Sequence, residues 1–199
     1  NADGSRGEMC GNGARCICRF AYDLGIVGDK MTVQTDAGIV YGQRLSKDQY
    51  RIRLNNPGVV DRNRLGDTAY LELGNPGVPH AVLRVPELQW EQRDALRAMA
   101  KELRYHPAFP KGANVNLYDW VDDSTIRILT YERGVEDYTL ACGTGSGSLA
   151  ALLWKTGQIT DSLTAENPGG TLHLNISGTV SIHALHLEGP TEIIAQISL

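Results

Sequence analysis

The sequence contains no apolar run approaching the roughly 20 residues that a membrane-spanning helix needs, so no bilayer span is expected. It has no surplus of positive charge either. Its 19 Lys and Arg stand against 23 Asp and Glu, a net charge of −4. Single basic residues such as Arg15, Arg19 and Arg133 are scattered rather than striped, which argues against a nucleic-acid footprint or an anionic membrane surface as partner. Zinc-type Cys-x-x-Cys spacing is missing. The only histidine pair, His183-x-x-His186, lies on an alternating stretch that points the two rings to opposite faces, so no metal site is expected. Neither glycine-rich run ends in the Lys-Ser/Thr of a phosphate loop or follows the G-x-G-x-x-G spacing of a dinucleotide site. An initiator Met and a signal peptide are also lacking. The chain opens on the turn-type Asn1-Ala2-Asp3-Gly4-Ser5 and reads as the interior of a longer polypeptide.

What is present is an ordinary globular balance, 42% hydrophobic and 21% charged residues over 199 positions. That fits one domain or two small ones and argues against disorder. The four cysteines are Cys10, Cys16, Cys18 and Cys142. Residues i and i+2 of a helix point apart, so Cys16 and Cys18 do not bridge, and the sparse set reads as free thiols in a reducing compartment.

Gly11-Asn12-Gly13 leads into apolar residues at helical spacing that stop at Gly25. Met31–Thr35, Ile39–Tyr41 and Tyr50–Leu54 alternate like strands, with a turn at Asp36-Ala37-Gly38 and a stop at Asn55-Asn56-Pro57-Gly58. Tyr70–Leu73 and Ala81–Val85 read as strands around the turn Gly74-Asn75-Pro76-Gly77. Residues 92–104 form an amphipathic helix with Leu96, Met99, Ala100 and Leu103 on one face. Strands are expected at 114–118 and 125–130. A second apolar helix starts at Gly143 and ends at Gly157. Strands at 163–166, 171–174, 181–187 and 192–199 complete the pattern. Tyr131, Trp90 and Trp154 read as packing residues.

The two ends of this pattern repeat. Cys10 and Gly38 lie 28 positions apart, as do Cys142 and Gly170, and Pro57 and Pro190 follow their cysteines by 47 and 48. Each copy runs Cys-Gly-x-Gly, helix, strand, glycine turn, strand, strand, proline. A self-match at fixed offset over this length marks a duplicated unit. It implies two similar α/β lobes facing across a pseudo-two-fold, each presenting one cysteine at a helix N-terminus.

That placement carries chemistry. A helix N-terminus exposes unpaired N–H groups and about half a positive charge. It should pull a thiol below its free pKa and can hold a carboxylate. Cys10 and Cys142 are therefore candidate acid and base on opposite faces of an amino-acid Cα, one as thiolate and the other as thiol. The helix dipoles would stabilise the carbanion-like intermediate through its carboxylate, with no electron-sink cofactor required. Taken singly, a buried cysteine is more often a small hydrophobe, and Cys16 and Cys18 fit that reading. Two cysteines at matched repeat positions favour catalysis.

At these residues the chain resembles the diaminopimelate epimerase family. Asn1-Ala2-Asp3-Gly4-Ser5 with Glu8-Met9-Cys10-Gly11-Asn12-Gly13-Ala14-Arg15-Cys16 resembles its first active-site motif. Glu132-Arg133-Gly134 with Thr139-Leu140-Ala141-Cys142-Gly143-Thr144-Gly145 resembles the second, and Gly77-Val78-Pro79-His80 and Phe109-Pro110 with Asn114-Val115-Asn116 resemble connecting motifs. The resemblance covers nearly the whole chain. It implies an α/β (α+β) fold of two pseudo-symmetric lobes, each with a mixed or antiparallel sheet around a central helix. The first lobe would comprise residues 1–56 with 192–199, and the second 57–191. It implies cofactor-independent conversion of LL-2,6-diaminopimelate to the meso form by Cys10 and Cys142, in lysine and peptidoglycan precursor synthesis. The substrate would be held by Asn1, Gly11, Asn12, Asn75, Asn114, Glu132, Arg133, Gly143 and Thr144. A bidentate Arg suits a carboxylate. The expected setting is the cytoplasm, or a plastid stroma in a plant, with a homodimer left open. Family members begin some tens of residues earlier with a strand and a Gly-Asn-Asp-Phe-type loop, so one wall of the pocket is expected ahead of Asn1. The stretch from Arg133 to Cys142 is one residue longer than the commoner form, and the turn from Gly74 to His80 is longer too. The alternatives are a proline- or histidine-type two-cysteine racemase of the same fold, and a non-catalytic binding relic.

Overall fold

The computed structural model describes residues 7, 9–74 and 77–195. Helix α1 (Gly11–Asp23) is followed by strands β1 (Lys30–Thr35), β2 (Gly38–Arg44) and β3 (Gln49–Leu54), then β4 (Pro57–Leu65), β5 (Thr68–Gly74) and β6 (Gly77–Arg84). A 3-10 turn at Trp90–Gln92 enters helix α2 (Arg93–Tyr105), and β7 (Asn114–Trp120), β8 (Thr125–Glu132) and the short β9 (Asp137–Thr139) follow. Helix α3 (Gly143–Lys155) and strands β10 (Ser162–Asn167), β11 (Gly170–Gly178) and β12 (Ile182–Pro190) close the described part.

The repeat read from the sequence is a repeat of structure. A constant shift of 132 residues carries α1 onto α3 (11 to 143), β1 onto β10 (30 to 162) and the start of β2 onto that of β11 (38 to 170). Both helices end in the same way. Gly25 and Gly157 stand at φ 69° and 72°, the left-handed conformation that glycine adopts without penalty. Ile26 N–H reaches back to Ala21 C=O and Gln158 N–H to Leu153 C=O, the C-terminal closure expected of such a glycine. Gly38 and Gly170 (φ 106° and 132°) close two-residue hairpins between the strands they join.

All twelve strands form one mixed sheet, in the order β1-β2-β3-β12-β11-β10-β8-β7-β6-β5-β4, with β9 paired to β8. Pairing is antiparallel except between β10 and β8 and between β6 and β7. The boundary at 56/57 falls in the short link from β3 to β4, which lie far apart in the sheet. Across that boundary the sheet is continuous, because β12 hydrogen-bonds β3 from Leu185 opposite Leu54 to Pro190 opposite Gln49.

One core lies between the sheet and helices α1 and α3 and includes Cys18, Ile52, Leu54, Leu149 and Leu187. A second lies under α2, around Tyr70, Leu103, Phe109, Leu117 and Leu129. Helix α2 thus covers the far side of β7 and β8, while α3 fills their near side. Eleven of the thirteen α3 residues are buried against five of thirteen in α1.

Three elements differ from the sequence reading. Strand β4 lies where only a stop at Pro57 and Gly58 was expected, and β9 was not foreseen. The strand expected at 192–199 is not formed over residues 192–195. Ile193 and Ile194 are adjacent rather than alternating, and they are 55% and 91% exposed, so no two-residue period runs through residues 192–195. Residues 196–199 lie outside the described residues.

Candidate active site

Each cysteine caps its own helix. Cys10 (φ −124°, ψ 115°) and Cys142 (φ −119°, ψ 107°) are extended N-cap residues. Their sulfurs accept from the N–H of Gly13 at 3.3 Å and of Gly145 at 3.4 Å. This is the N-cap arrangement with sulfur in place of the usual oxygen. The helix starts abut. A methyl group placed on Gly11 would stand 3.3 Å from Gly143 Cα, and one on Gly143 would stand 2.6 Å from Leu187 Cδ2 and 3.4 Å from Gly11 Cα. Only glycine lets the two positive helix ends come this close. A cross-link fixes them in register, since Asn12 Nδ2 donates to Ala141 C=O at 2.9 Å. Arg15, 5% exposed, donates from Nη2 to Asn12 Oδ1 at 3.0 Å.

Between the helix starts lies a cavity of about 150 Å³ lined by Gly7, Met9, Cys10, Gly11, Asn12, Val78, Asn114, Glu132, Arg133, Ala141, Cys142, Gly143 and Thr144. That is below the ~300 Å³ at which pockets for drug-sized molecules begin, and so on the scale of a small metabolite. The structure therefore brings together Cys10, Gly11, Asn12, Asn114, Glu132, Arg133, Cys142, Gly143 and Thr144. Asn1 and Asn75 lie outside the described residues.

The two thiols differ in surroundings. Cys10 is exposed and Cys142 buried, and all four cysteines are free. Burial pushes the Cys142 thiol up, and the nearby Glu132 carboxylate, within hydrogen-bond reach, adds to the rise. The Thr144 hydroxyl, 3.5 Å from the sulfur, and the Gly145 N–H oppose it without prevailing. The expectation that a helix start pulls both thiols down is thus overturned at Cys142. Desolvation in the enclosed helix start outweighs the Thr144 hydroxyl and the Gly145 N–H.

Glu132 ends β8, and Arg133 begins the loop to β9. That loop is clamped from behind. Glu136 sits at φ 58°, and its Oε1 accepts from Gly134 N–H at 3.0 Å and from Arg104 Nε and Nη2 at 3.0 and 2.8 Å. Its C=O accepts from Tyr131 OH at 2.6 Å. Burial pushes the Glu136 carboxyl up, but the Gly134 N–H, Tyr105 hydroxyl and Arg104 together bring it below its ordinary value. Asn114 Oδ1 accepts from Arg133 N–H at 2.9 Å while its Nδ2 donates to Pro79 C=O at 3.2 Å. The backbone at Arg133 is therefore fixed from two sides.

Sequence reasoning missed Arg15, which it treated as a scattered base. The signal was its place on α1 three residues after Asn12, on the same helix face. It also missed the apolar wall of Met9 and Val78, which no spacing rule would single out. Among the described residues no group of His, Cys, Asp and Glu is placed to hold a metal ion. No helix of the described part is long and apolar enough to cross a membrane.

This pseudo-symmetric fold is shared with solved structures of the proline racemase and PhzF type. A probable proline racemase from Agrobacterium radiobacter superposes with a TM-score of 0.68 at 19% identity, over 96% of this chain and 68% of that one. A hydroxyproline epimerase from Agrobacterium vitis gives 0.66 at 19%, over 92% and 64%. At that identity the likeness shows the fold alone. Sequence comparison narrows it. Residues 73–186 match the diaminopimelate epimerase family model. Diaminopimelate epimerase of Aquifex aeolicus is 39% identical over 164 residues, 80% of this chain and 58% of that protein. That of a Hydrogenobaculum species is 36% identical over 200 residues, 96% of this chain and 70% of that protein. The chain belongs to the diaminopimelate epimerase family, and it spans between about three-fifths and seven-tenths of the length of these two relatives.

Proposed function

We propose that the protein epimerises LL-2,6-diaminopimelate to meso-diaminopimelate, with Cys10 and Cys142 as the acid–base pair and no electron-sink cofactor, in the synthesis of lysine and peptidoglycan precursors in the cytoplasm. The observation that carries this is the shared cavity with a helix-start cysteine on each side. An α-carboxylate seated on the N–H groups of Gly11, Asn12, Gly143 and Thr144 faces two helix dipoles at once. The Cα then lies between the sulfurs. One sulfur, as thiolate, takes the Cα proton, and the opposite thiol delivers its proton to the other face. In the reverse direction the roles exchange. The negative charge that develops on the planar intermediate is spread into the carboxylate, where the converging N–H groups act on it.

Cys142 enters this cycle as the thiol. It is buried beside the Glu132 carboxylate, which disfavours a second negative charge. Glu132, Arg133 and Asn114 line the same cavity. There the carboxylate and guanidinium match the distal ammonium and carboxylate of a substrate charged at both ends, which proline lacks.

Transfer of deuterium from solvent into the Cα position tests this. Diaminopimelate should exchange, and proline and histidine should not. Exchange with proline in preference to diaminopimelate would move the assignment to the proline type. Absence of exchange with any of the three, from a chain with its N-terminal segment restored, would refute the catalytic reading.

A further inference from the structure

Beneath the Cys142 helix start lies a buried polar cluster that the reaction as described does not use. Asn116 sits on β7 two residues after Asn114 and is fully buried, as is His80, while Thr130 is 3% exposed. The Asn116 carboxamide is held at three points. Its Nδ2 donates to Ala81 C=O and to His80 Nδ1, both at 3.1 Å, and its Oδ1 accepts from Thr130 Oγ1 at 3.1 Å. The Ala81 carbonyl can only accept, so the orientation of the amide is fixed, and His80 Nδ1 must be the unprotonated nitrogen. Oδ1 lies against the α3 backbone at Gly145, where a methyl group would fall on it, well inside van der Waals contact. The Gly145 N–H is the donor to the Cys142 sulfur at 3.4 Å.

We propose that Asn116 is a positioning residue for Cys142: its anchored carboxamide seats the first turn of α3 at Gly145 and so fixes where the Cys142 sulfur stands in the cleft. This rests on the reading of Cys142 as one of the acid–base pair. Among the described residues, a methyl on Gly13, at the matched position in the first repeat, would meet Cys10 at 3.5 Å and beyond.

The test compares Asn116→Ala and Thr130→Val with the unaltered protein. The first readout is the rate of alkylation of Cys142 by iodoacetamide at fixed pH, relative to Cys10 in the same molecules, by peptide mass mapping. The second is kcat and KM for Cα-deuterium exchange with diaminopimelate. Loss of about one hydrogen bond's worth of alignment predicts that Asn116→Ala lowers the Cys142 to Cys10 alkylation ratio about tenfold. It should also lower kcat about tenfold, with KM changed less than about twofold. Thr130→Val, which keeps the volume and removes one anchor, should shift both in the same direction by about threefold. An alkylation ratio that is unchanged or increased overturns the proposal, and so does an equal loss of reactivity at both cysteines. Should Asn116→Ala fail to fold, Thr130→Val decides alone. Full epimerase activity in Cys142→Ala would refute the catalytic reading of that cysteine, whereas the alkylation ratio would still judge Asn116.

Discussion

The same motif residue, Gly13 in the first repeat and Gly145 in the second, should respond to alanine in opposite ways. A methyl on Gly13 finds Cys10 Cβ at 3.5 Å and Sγ at 3.6 Å, ordinary contact distances. Both glycines lie inside a helix, where alanine is favoured over glycine by up to ~1 kcal/mol. Gly13→Ala should therefore be neutral or stabilising by up to about 1 kcal/mol. On Gly145 the methyl would fall on Asn116 Oδ1, with Cγ at 3.2 Å. Asn116 can leave only by giving up its bonds to His80, Ala81 and Thr130. At about 1 kcal/mol for each buried bond the loss is roughly 3 kcal/mol, and the helix-propensity gain offsets at most a third of it. If α3 shifts instead, overpacking costs about 1–3 kcal/mol. Gly145→Ala should thus destabilise by about 2–3 kcal/mol, a fall in Tm of roughly 5–10 °C for a chain of this size. Urea unfolding of the two variants beside the unaltered protein, at matched m, measures the difference. Equal stability of the two variants would refute the reasoning, because it would mean that the Asn116 carboxamide does not press on α3.

Cys10→Ala and Cys142→Ala should each lower net epimerisation by roughly 10²–10⁴; near-normal turnover of either variant, measured by conversion of the LL to the meso isomer, would exclude that residue from the pair. Arg104→Ala releases Glu136 and with it the loop carrying Glu132 and Arg133, so KM for diaminopimelate should rise roughly tenfold with kcat nearly kept; an unchanged KM would show that the clamp is idle. Burial, with Arg133 nearby, holds the His80 imidazole down to about 3 from an ordinary 6.5. The folded state then stays neutral while the unfolded chain takes up a proton, so stability is full above pH 6.5 and falls by up to ~1.4 kcal/mol per pH unit below it. His186, also lowered, by burial and by Arg51 and Arg53, contributes in the same sense. His80→Gln should therefore remove part of the slope between pH 6.5 and 5 in urea unfolding, and identical slopes would refute the buried neutral state of His80.

The sequence made the helices legible because their signals are local: apolar spacing, a glycine opening and a left-handed glycine stop. The cavity residues were legible for a different reason. Cys10, Cys142, Asn114, Glu132 and Arg133 sit in motifs whose partners could be matched by offset or by family likeness. Strand β4 was hidden because it is an edge. Pro57 and Gly58 open it, and Asp61, Arg62 and Arg64 give it the charged, polar face that keeps an edge from pairing further. Strand β9, three residues long, is too short to show a period. The expected strand at 192–199 failed over its described part because the adjacent Ile193 and Ile194 break the alternation there. The high pKa of Cys142 was out of reach because it is set by residues distant in the sequence. Burial by the strands packed around α3 is its largest cause, with Glu132 adding to it, and the motif that contains Glu132 does not show that burial.

That contrast explains how one duplicated unit can serve two roles. The backbone at the two cysteines is nearly the same, to within about 10° in φ and ψ, and both sulfurs take one N–H from three residues on. The proposed reaction needs a thiol facing a thiolate. Around Cys142 the surroundings are set by residues 57–132, which supply strands β4 to β8. These bring Glu132 to the Cys142 sulfur and Asn116 and Thr130 beneath it, while Cys10 remains exposed. Removing Glu132's charge should thus bring the two thiols closer together in behaviour. In Glu132→Gln the alkylation rate of Cys142 should rise toward that of Cys10 as one source of its high pKa is lost, with burial still holding it back. A ratio unchanged from the unaltered protein would mean that burial alone keeps Cys142 protonated, and that the asymmetry of the pair owes nothing to the carboxylate beside it.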